Sequence, residues 1–160
     1  MENPKDTIER FYSAFQKKDW KTMQECYHPE VQFSDPVFTA LKGNSAKAMW
    51  HMLILAGKDL ELTFSNVHAN GNTGSCDWEA FYSFSRTGRK VHNVIQAAFE
   101  FRDGKIIRHT DSFDLWKWAG MALGTSGKLL GWSPLIRLKV IDTAARNLTR
   151  FISDHPEYKN

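Results

Sequence analysis

The chain opens with helical spacing. Ile8, Phe11, Tyr12 and Phe15 recur at i, i+3, i+4 and i+7 behind a polar start at Asp6 or Thr7. A second helix is expected from Asp19, with Trp20, Met23, Cys26 and Tyr27 on one face and a stop before Pro29. Residues 31–34 read as a short strand ended by Asp35-Pro36. Beyond Gly43, Asn44 or Ser45 can cap a third helix that presents Trp50, Leu53 and Ile54. Four strands are then expected over 60–69, 75–85, 91–101 and 105–115, joined at Asn70-Gly71-Asn72, at Arg86-Thr87-Gly88-Arg89 and at Arg102-Asp103-Gly104. Alternation assigns their faces. Val91, Asn93, Ile95, Ala97, Phe99 and Phe101 share the buried side of the third strand, and Trp78, Ala80, Tyr82 and Phe84 that of the second. On the fourth strand both faces are mixed, and parity alone leaves open which one is inward.

After residue 115 the pattern changes. A short aromatic helix runs from Leu115 toward Gly124 with Asp114 as its cap, and 124–131 reads as a glycine-punctuated loop. Ser133-Pro134 then starts a long amphipathic helix whose apolar face is expected to be Leu135, Leu138, Ile141, Ala145, Leu148 and Ile152. The order of elements gives an α+β protein, with helices on one face of a strongly curved antiparallel sheet.

At 160 residues the chain has the length of one ordinary domain, and 42% hydrophobic with 24% charged residues excludes disorder, collagen and a disulfide scaffold. Aromatics make up 13% of the chain, more than a plain core requires, and this first points to an apolar ligand cavity. The net charge of +3 is unevenly spread, since residues 1–115 are net −1 and residues 116–152 net +5. Cys26 and Cys76 lack metal or redox spacing and read as free thiols in a reducing compartment. The charged start MENPKDTIER is unlike a signal peptide, and no apolar run is long enough to span a bilayer, so a cytoplasmic protein is expected.

Three local patterns carry a resemblance. Asp19-Trp20 leads sixteen residues later to Asp35 within Phe33-Ser34-Asp35-Pro36. The hairpin Phe99-Glu100-Phe101-Arg102-Asp103-Gly104-Lys105-Ile106 follows, and then Arg108-His109-Thr110-Asp111-Ser112-Phe113-Asp114. In this order they make residues 1–115 resemble the nuclear transport factor 2-like superfamily, and within it the SnoaL-like and ketosteroid-isomerase-like proteins. The resemblance implies a cone-shaped, cystatin-like roll with three N-terminal helices over residues 1–115, and a C-terminal helical extension over 116–160 packed on the same domain. It also implies that His109, Asp111 and Phe113 face the pocket. Asp35 matches the Asp-Pro general base of ketosteroid isomerases, and Asp111 the last-strand base of SnoaL-like cyclases. The isomerase's oxyanion Tyr falls on Phe11, with Tyr12 one residue away, and its oxyanion Asp on Ala97 or Gln96, so neither donor is retained in this register.

The expected catalytic residues are therefore Asp35, His109 and Asp111. The expected ligand lining is Phe11, Tyr12, Phe15, Phe33, Trp50, Trp78, Tyr82, Asn93, Phe99 and Phe113. A carboxylate in such a cone loses hydration and moves toward the range where it can take and return a proton. The plainer readings are an Asx-type turn at Asp35, a core histidine at His109, an ion pair with Arg108 at Asp111, and packing for the rings. His28 and His51 read as helix-end or surface residues. The histidines show no metal-ligand spacing, and neither a metal nor another cofactor is expected. The expected partner is a small hydrophobic molecule, bound either by an isomerase, cyclase or hydrolase of carbonyl or epoxide compounds or by a non-catalytic binding protein. A homodimer through the outer sheet face is expected, and nucleic acid is not. The basic C-terminal helix could touch an anionic membrane surface, but a helix packed on the domain is preferred, and Trp116, Trp118 and Trp132 could form a lid over the cone.

Overall fold

The computed structural model describes residues 1–130 and 133–160. Helix α1 (Pro4–Gln16) starts one turn earlier than its hydrophobic spacing implies. Asn3 is the cap, accepting from the Asp6 backbone N–H, and Pro4 fits the first turn because its missing N–H would have no helical partner there. Helix α2 (Trp20–Glu25) is capped by Asp19 and is shorter than expected. Tyr27 leaves it to begin strand β1 (Tyr27–Ser34), where it pairs with Ile106. Pro29 cannot donate to a ladder, and the pairing register shifts between Tyr27 and Gln32. A two-residue strand β2 (Leu41–Lys42), too short to leave a periodic signature, pairs with β1. Helix α3 (Asn44–Ala56) follows Gly43, which takes φ 53° with no side-chain cap.

Strands β3 (Glu61–Asn70), β4 (Thr73–Ser83), β5 (Lys90–Arg102) and β6 (Lys105–Ser112) form an antiparallel meander. The six-stranded sheet runs β2-β1-β6-β5-β4-β3. It is mixed rather than purely antiparallel, because β1 lies parallel to β6, with Phe33 opposite His109. Strand β5 alternates without a break, and all six residues of its expected inner face are buried. On β6 a register irregularity between Glu100 and Phe101 turns Ile106 as well as His109 inward, which is why parity was mixed there.

The core lies between the concave face of the sheet and helices α1 and α3. Ile8, Phe11, Tyr12 and Phe15 of α1 are all at or below 3% exposure. Asp114 caps α4 (Leu115–Leu123), accepting from the Lys117 backbone N–H. A short helix α5 (Thr125–Leu130) occupies most of the expected loop. Its Gly127 packs so closely on the Ala119 carbonyl that a Cβ there would sit 1.9 Å from the oxygen. Ser133 caps the long helix α6 (Pro134–Asp154). Its inward stripe keeps Leu148 and Ile152 of the expected face but not Leu135, Leu138 or Ala145. Leu135 and Leu138 are 78% and 62% exposed, whereas Leu148 is buried and Ala144, Phe151 and Ile152 pack on the main core. A 3₁₀ turn, Pro156–Tyr158, ends the fold and buries Tyr158. Gly131 and Trp132, the end of the expected loop and one of the expected lid tryptophans, lie outside the described residues.

Candidate active site

Strand pairing brings the polar residues of the cone together. The register Phe33↔His109 and Ser34↔Thr110 between the parallel strands carries the chain on to set Asp35 alongside Asp111. Across the sheet, Asp111 faces Ala97 and His109 faces Phe99. His109 is fully buried and Asp111 is 4% exposed.

A continuous chain of hydrogen bonds crosses this interior. Trp50 Nε1–H donates to the Tyr27 hydroxyl oxygen at 2.7 Å. Tyr27 Oη lies 2.8 Å from His109 Nδ1, and His109 Nε2 lies 3.0 Å from Asp111 Oδ1. The Trp78 indole N–H also points at Asp111 Oδ1, at 3.4 Å. A carboxylate only accepts, so with a neutral ring His109 carries its proton on Nε2, and Nδ1 accepts from Tyr27. Burial pushes the Tyr27 hydroxyl well above its ordinary range, against the Trp50 bond that pulls it down, so it remains a donor. His109 therefore has both nitrogens engaged. It fixes Asp111, whose Oδ2 has no hydrogen-bond partner among the described residues.

Two further polar groups adjoin this carboxylate. The Tyr12 hydroxyl is buried and has no hydrogen-bond partner among the described residues. Burial, then the neighbouring Asp111 charge, pushes it well above the ordinary phenol range. Asp35 Oδ1 accepts from the backbone N–H groups of Val37 (2.7 Å) and Phe38 (2.6 Å), closing the turn expected of an Asp-Pro pair. Burial nevertheless dominates, and the Asp35 carboxyl is raised to about 6; the two N–H bonds oppose this and Asp111 adds to it. Arg108, a possible partner for Asp111, points to the other face and pairs with Glu100.

The rings expected to line a hollow pack on one another instead. Phe11, Phe15 and Phe33 meet Trp50 with centroids 5.2–5.6 Å apart, Tyr12 lies 5.8 Å from Trp78, and Phe99 lies 4.5 Å from His109. The deep part of the cone is thus a packed aromatic core, and Phe11 and Phe33 form its wall behind His109. Asn93 is buried on the same sheet face toward the open end. There Tyr82 and Phe113 lie half-buried under α4, which sets Leu115, Trp118, Ala119 and Ala122 over Val91 and Val37. Trp118 Nε1–H donates to the Tyr82 hydroxyl at 2.7 Å, and Thr87 and Arg89 bind the carbonyls of Ala122 and Met121. Trp118 thus covers the end of the cone nearest Asp35, whereas Trp116 is 52% exposed. An open cleft of about 590 Å³ lies outside the cone, between Arg89, Lys90, Trp116 and Lys128. Sequence reasoning missed Tyr27, because its spacing from Met23 fits a helix as well as it fits the start of a strand.

A roll of curved sheet closed by three helices is the architecture of the nuclear transport factor 2-like class. Within it, the SnoaL-like domain family matches residues 8–109, and the chain belongs to that family. No curated protein matches the chain by sequence. Among solved structures, the fold is similar to IdmH of Streptomyces antibioticus, described as a proposed polyketide cyclase, at 22% identity and TM-score 0.65, over 77% of this chain and 99% of that one. It is also similar to an epoxide hydrolase of the LEH type from M. tuberculosis, at 16% identity and TM-score 0.59, over 81% and 94%. A nuclear transport factor 2-like protein of unknown function from Burkholderia pseudomallei matches at 16% identity and TM-score 0.62, over 71% and 92%. At these identities the likeness concerns the fold. No described helix is long and apolar enough to cross a membrane.

Proposed function

We propose that the protein is an acid–base enzyme that moves a proton on a small hydrophobic carbonyl or epoxide compound. Asp111 is the base, His109 is the residue that positions it, and Asp35 is a second carboxyl that takes and returns the proton. The observation that carries this reading is the pairing of two unused polar groups among the buried rings of the cone. Among the described residues Asp111 Oδ2 has no hydrogen-bond partner while its other oxygen is held by His109 and Trp78, and the neighbouring Tyr12 hydroxyl is an unused donor. A base beside a donor is what proton abstraction next to a carbonyl needs. The base takes the proton, and the donor stabilises the charge that develops on oxygen. Tyr12 then supplies, from the next position on the helix, the donor that Phe11 cannot. Substrate would reach the pair from the end covered by Trp118, with α4 moving aside. The same reading places the protein in the cytoplasm as a homodimer through the outer sheet face, where Phe81 and Val94 are 40% and 49% exposed.

The test is hydrogen–deuterium exchange at carbons next to the carbonyl in a panel of small cyclic ketones, followed by NMR. Wild-type protein should accelerate exchange, and Asp111→Asn should reduce that acceleration by about 10²–10⁴-fold. Equal exchange in the two proteins would refute the assignment. A second reading, a non-catalytic binder of the same ligand class, is favoured by the ring packing and by the backbone cap on Asp35. It expects saturable ligand binding with no exchange above buffer.

A further inference from the structure

A second cluster of chemistry-bearing groups lies outside the cone, where α3 meets the C-terminal end of α6. His51, expected at the surface, is 6% exposed and stacks on Trp20 at 3.7 Å. His155 caps the end of α6 and stacks on Phe151 at 3.9 Å. Glu157 sits two residues on, in the 3₁₀ turn. A ring nitrogen from each histidine and a carboxylate oxygen of Glu157 all lie within 4.8 Å of one another.

Packing alone does not require the hydrogen bonds these rings make. His155 Nδ1 lies 2.8 Å from the Phe151 carbonyl oxygen. A carbonyl only accepts, so Nδ1 carries the proton and Nε2 keeps a bare lone pair. His51 Nδ1 lies 2.9 Å from the Tyr158 hydroxyl, which is held in turn by Gln24 Nε2–H at 2.8 Å. Tyr158 can meet His51 Nδ1 as donor or as acceptor, and a metal ion on His51 Nε2 selects the tautomer in which Nδ1–H donates to the Tyr158 oxygen. Outer partners that fix the tautomer and aim of an imidazole are the usual support of a metal-binding histidine.

We propose that His51, His155 and Glu157 bind one zinc ion, with a fourth position open to water, and that the ion pins the C-terminal tail to α3. Two imidazoles and a carboxylate are a donor set for zinc rather than for magnesium or calcium, which favour all-oxygen shells. Zinc–ligand bonds of about 2.0–2.2 Å bring the donor atoms closer together than 4.8 Å. The exposed Glu157 side chain, at the end of the chain, is the part free to close that gap. Spacing could not reveal the cluster, because His51 and His155 come from opposite ends of the chain.

The experiment uses the untagged full chain with Zn²⁺, and with Co²⁺ as a spectroscopic substitute. One equivalent of Zn²⁺ should bind and raise the thermal unfolding midpoint, with Mg²⁺ and Ca²⁺ giving no shift. Co²⁺ should give visible bands of four-coordinate cobalt. Tyr158→Phe should weaken binding by about 10–100-fold, as loss of an outer partner does. Glu157→Gln, at an exposed position, and His155→Ala should weaken it further and abolish the thermal shift. Three results would overturn the site: no binding by the wild-type chain, unchanged binding by the Glu157→Gln/His155→Ala double variant, or a near-ultraviolet sulfur-to-cobalt band implicating Cys26 or Cys76.

Discussion

Two buried histidines, His109 and His51, sit among aromatic rings, and they differ in what their nitrogens do. His109, at the bottom of the cone, has Tyr27 on one nitrogen and Asp111 on the other. His51, between α3 and α6, has Tyr158 on Nδ1 and no described hydrogen bond on Nε2. A histidine engaged at both nitrogens in a dry core is a spacer of fixed length between two other groups, and its chemistry is to hold them. A histidine engaged at one nitrogen has its other nitrogen left for something outside the chain. Burial alone does not separate the two roles, since both rings are below the surface.

The comparison can be broken by substitution. The largest effect is expected for His109→Ala, which leaves the Tyr27 hydroxyl and the Asp111 carboxylate short of a partner in the interior. A loss of about 3–5 kcal/mol in denaturant unfolding is expected. A loss no greater than that of His51→Ala would erase the distinction between the rings. Next is Tyr27→Phe, which strands Trp50 Nε1–H and His109 Nδ1 together and should cost about 2–4 kcal/mol by the same measurement.

Asp35→Asn runs the other way. The native carboxyl is raised from 3.8 to about 6, mainly by burial. Between these values the folded state holds a proton that the unfolded chain has lost. Wild-type stability from this group is therefore complete below pH about 4 and falls as pH rises through about 6. The Asn side chain keeps the acceptor for Val37 and Phe38 and removes the charge. The variant should be about 3 kcal/mol more stable than wild type at pH 7 and equal to it at pH 3.5, in paired melts. Any exchange activity carried by Asp35 should rise through the same pH window in the wild type and be lost in the variant. The smallest effect is expected at the other histidine. Tyr158→Phe, near the surface, should cost about 1 kcal/mol without metal, and a cost as large as that of Tyr27→Phe would mean the two networks are alike.

Much of the fold could be read from the sequence. The inner face of β5 was visible because its alternation is unbroken, and the Asp114 and Ser133 caps because they precede clear helical runs. The failures have local causes. Tyr27 satisfies helical spacing from Met23, and only the long-range pairing with Ile106 moves it into a strand. On α6 the exposed Leu135 and Leu138 were chosen over Ile136, Val140 and Ala144, which run through the same helix on a neighbouring stripe. Two apolar stripes one residue apart cannot be ranked without the surface they pack against. The carboxylates were legible through the Asp-Pro turn and the two-residue step from His109 to Asp111. The chain of bonds that orients them was not, because Tyr27, Trp50, Trp78 and His109 come from four separate elements.

The parallel seam between β1 and β6 sets the order in which this protein can be made. During synthesis α1, α2 and β1 leave the ribosome first, and their permanent neighbour emerges only after the whole β3–β5 meander. Until then Val31 and Phe33 form an apolar strand with a bare edge, joined only to the two residues of β2. Such late-closing pairings slow folding and invite wrong partners. Nascent chains stopped before β6 should therefore be captured by chaperones, and those that include it should be released.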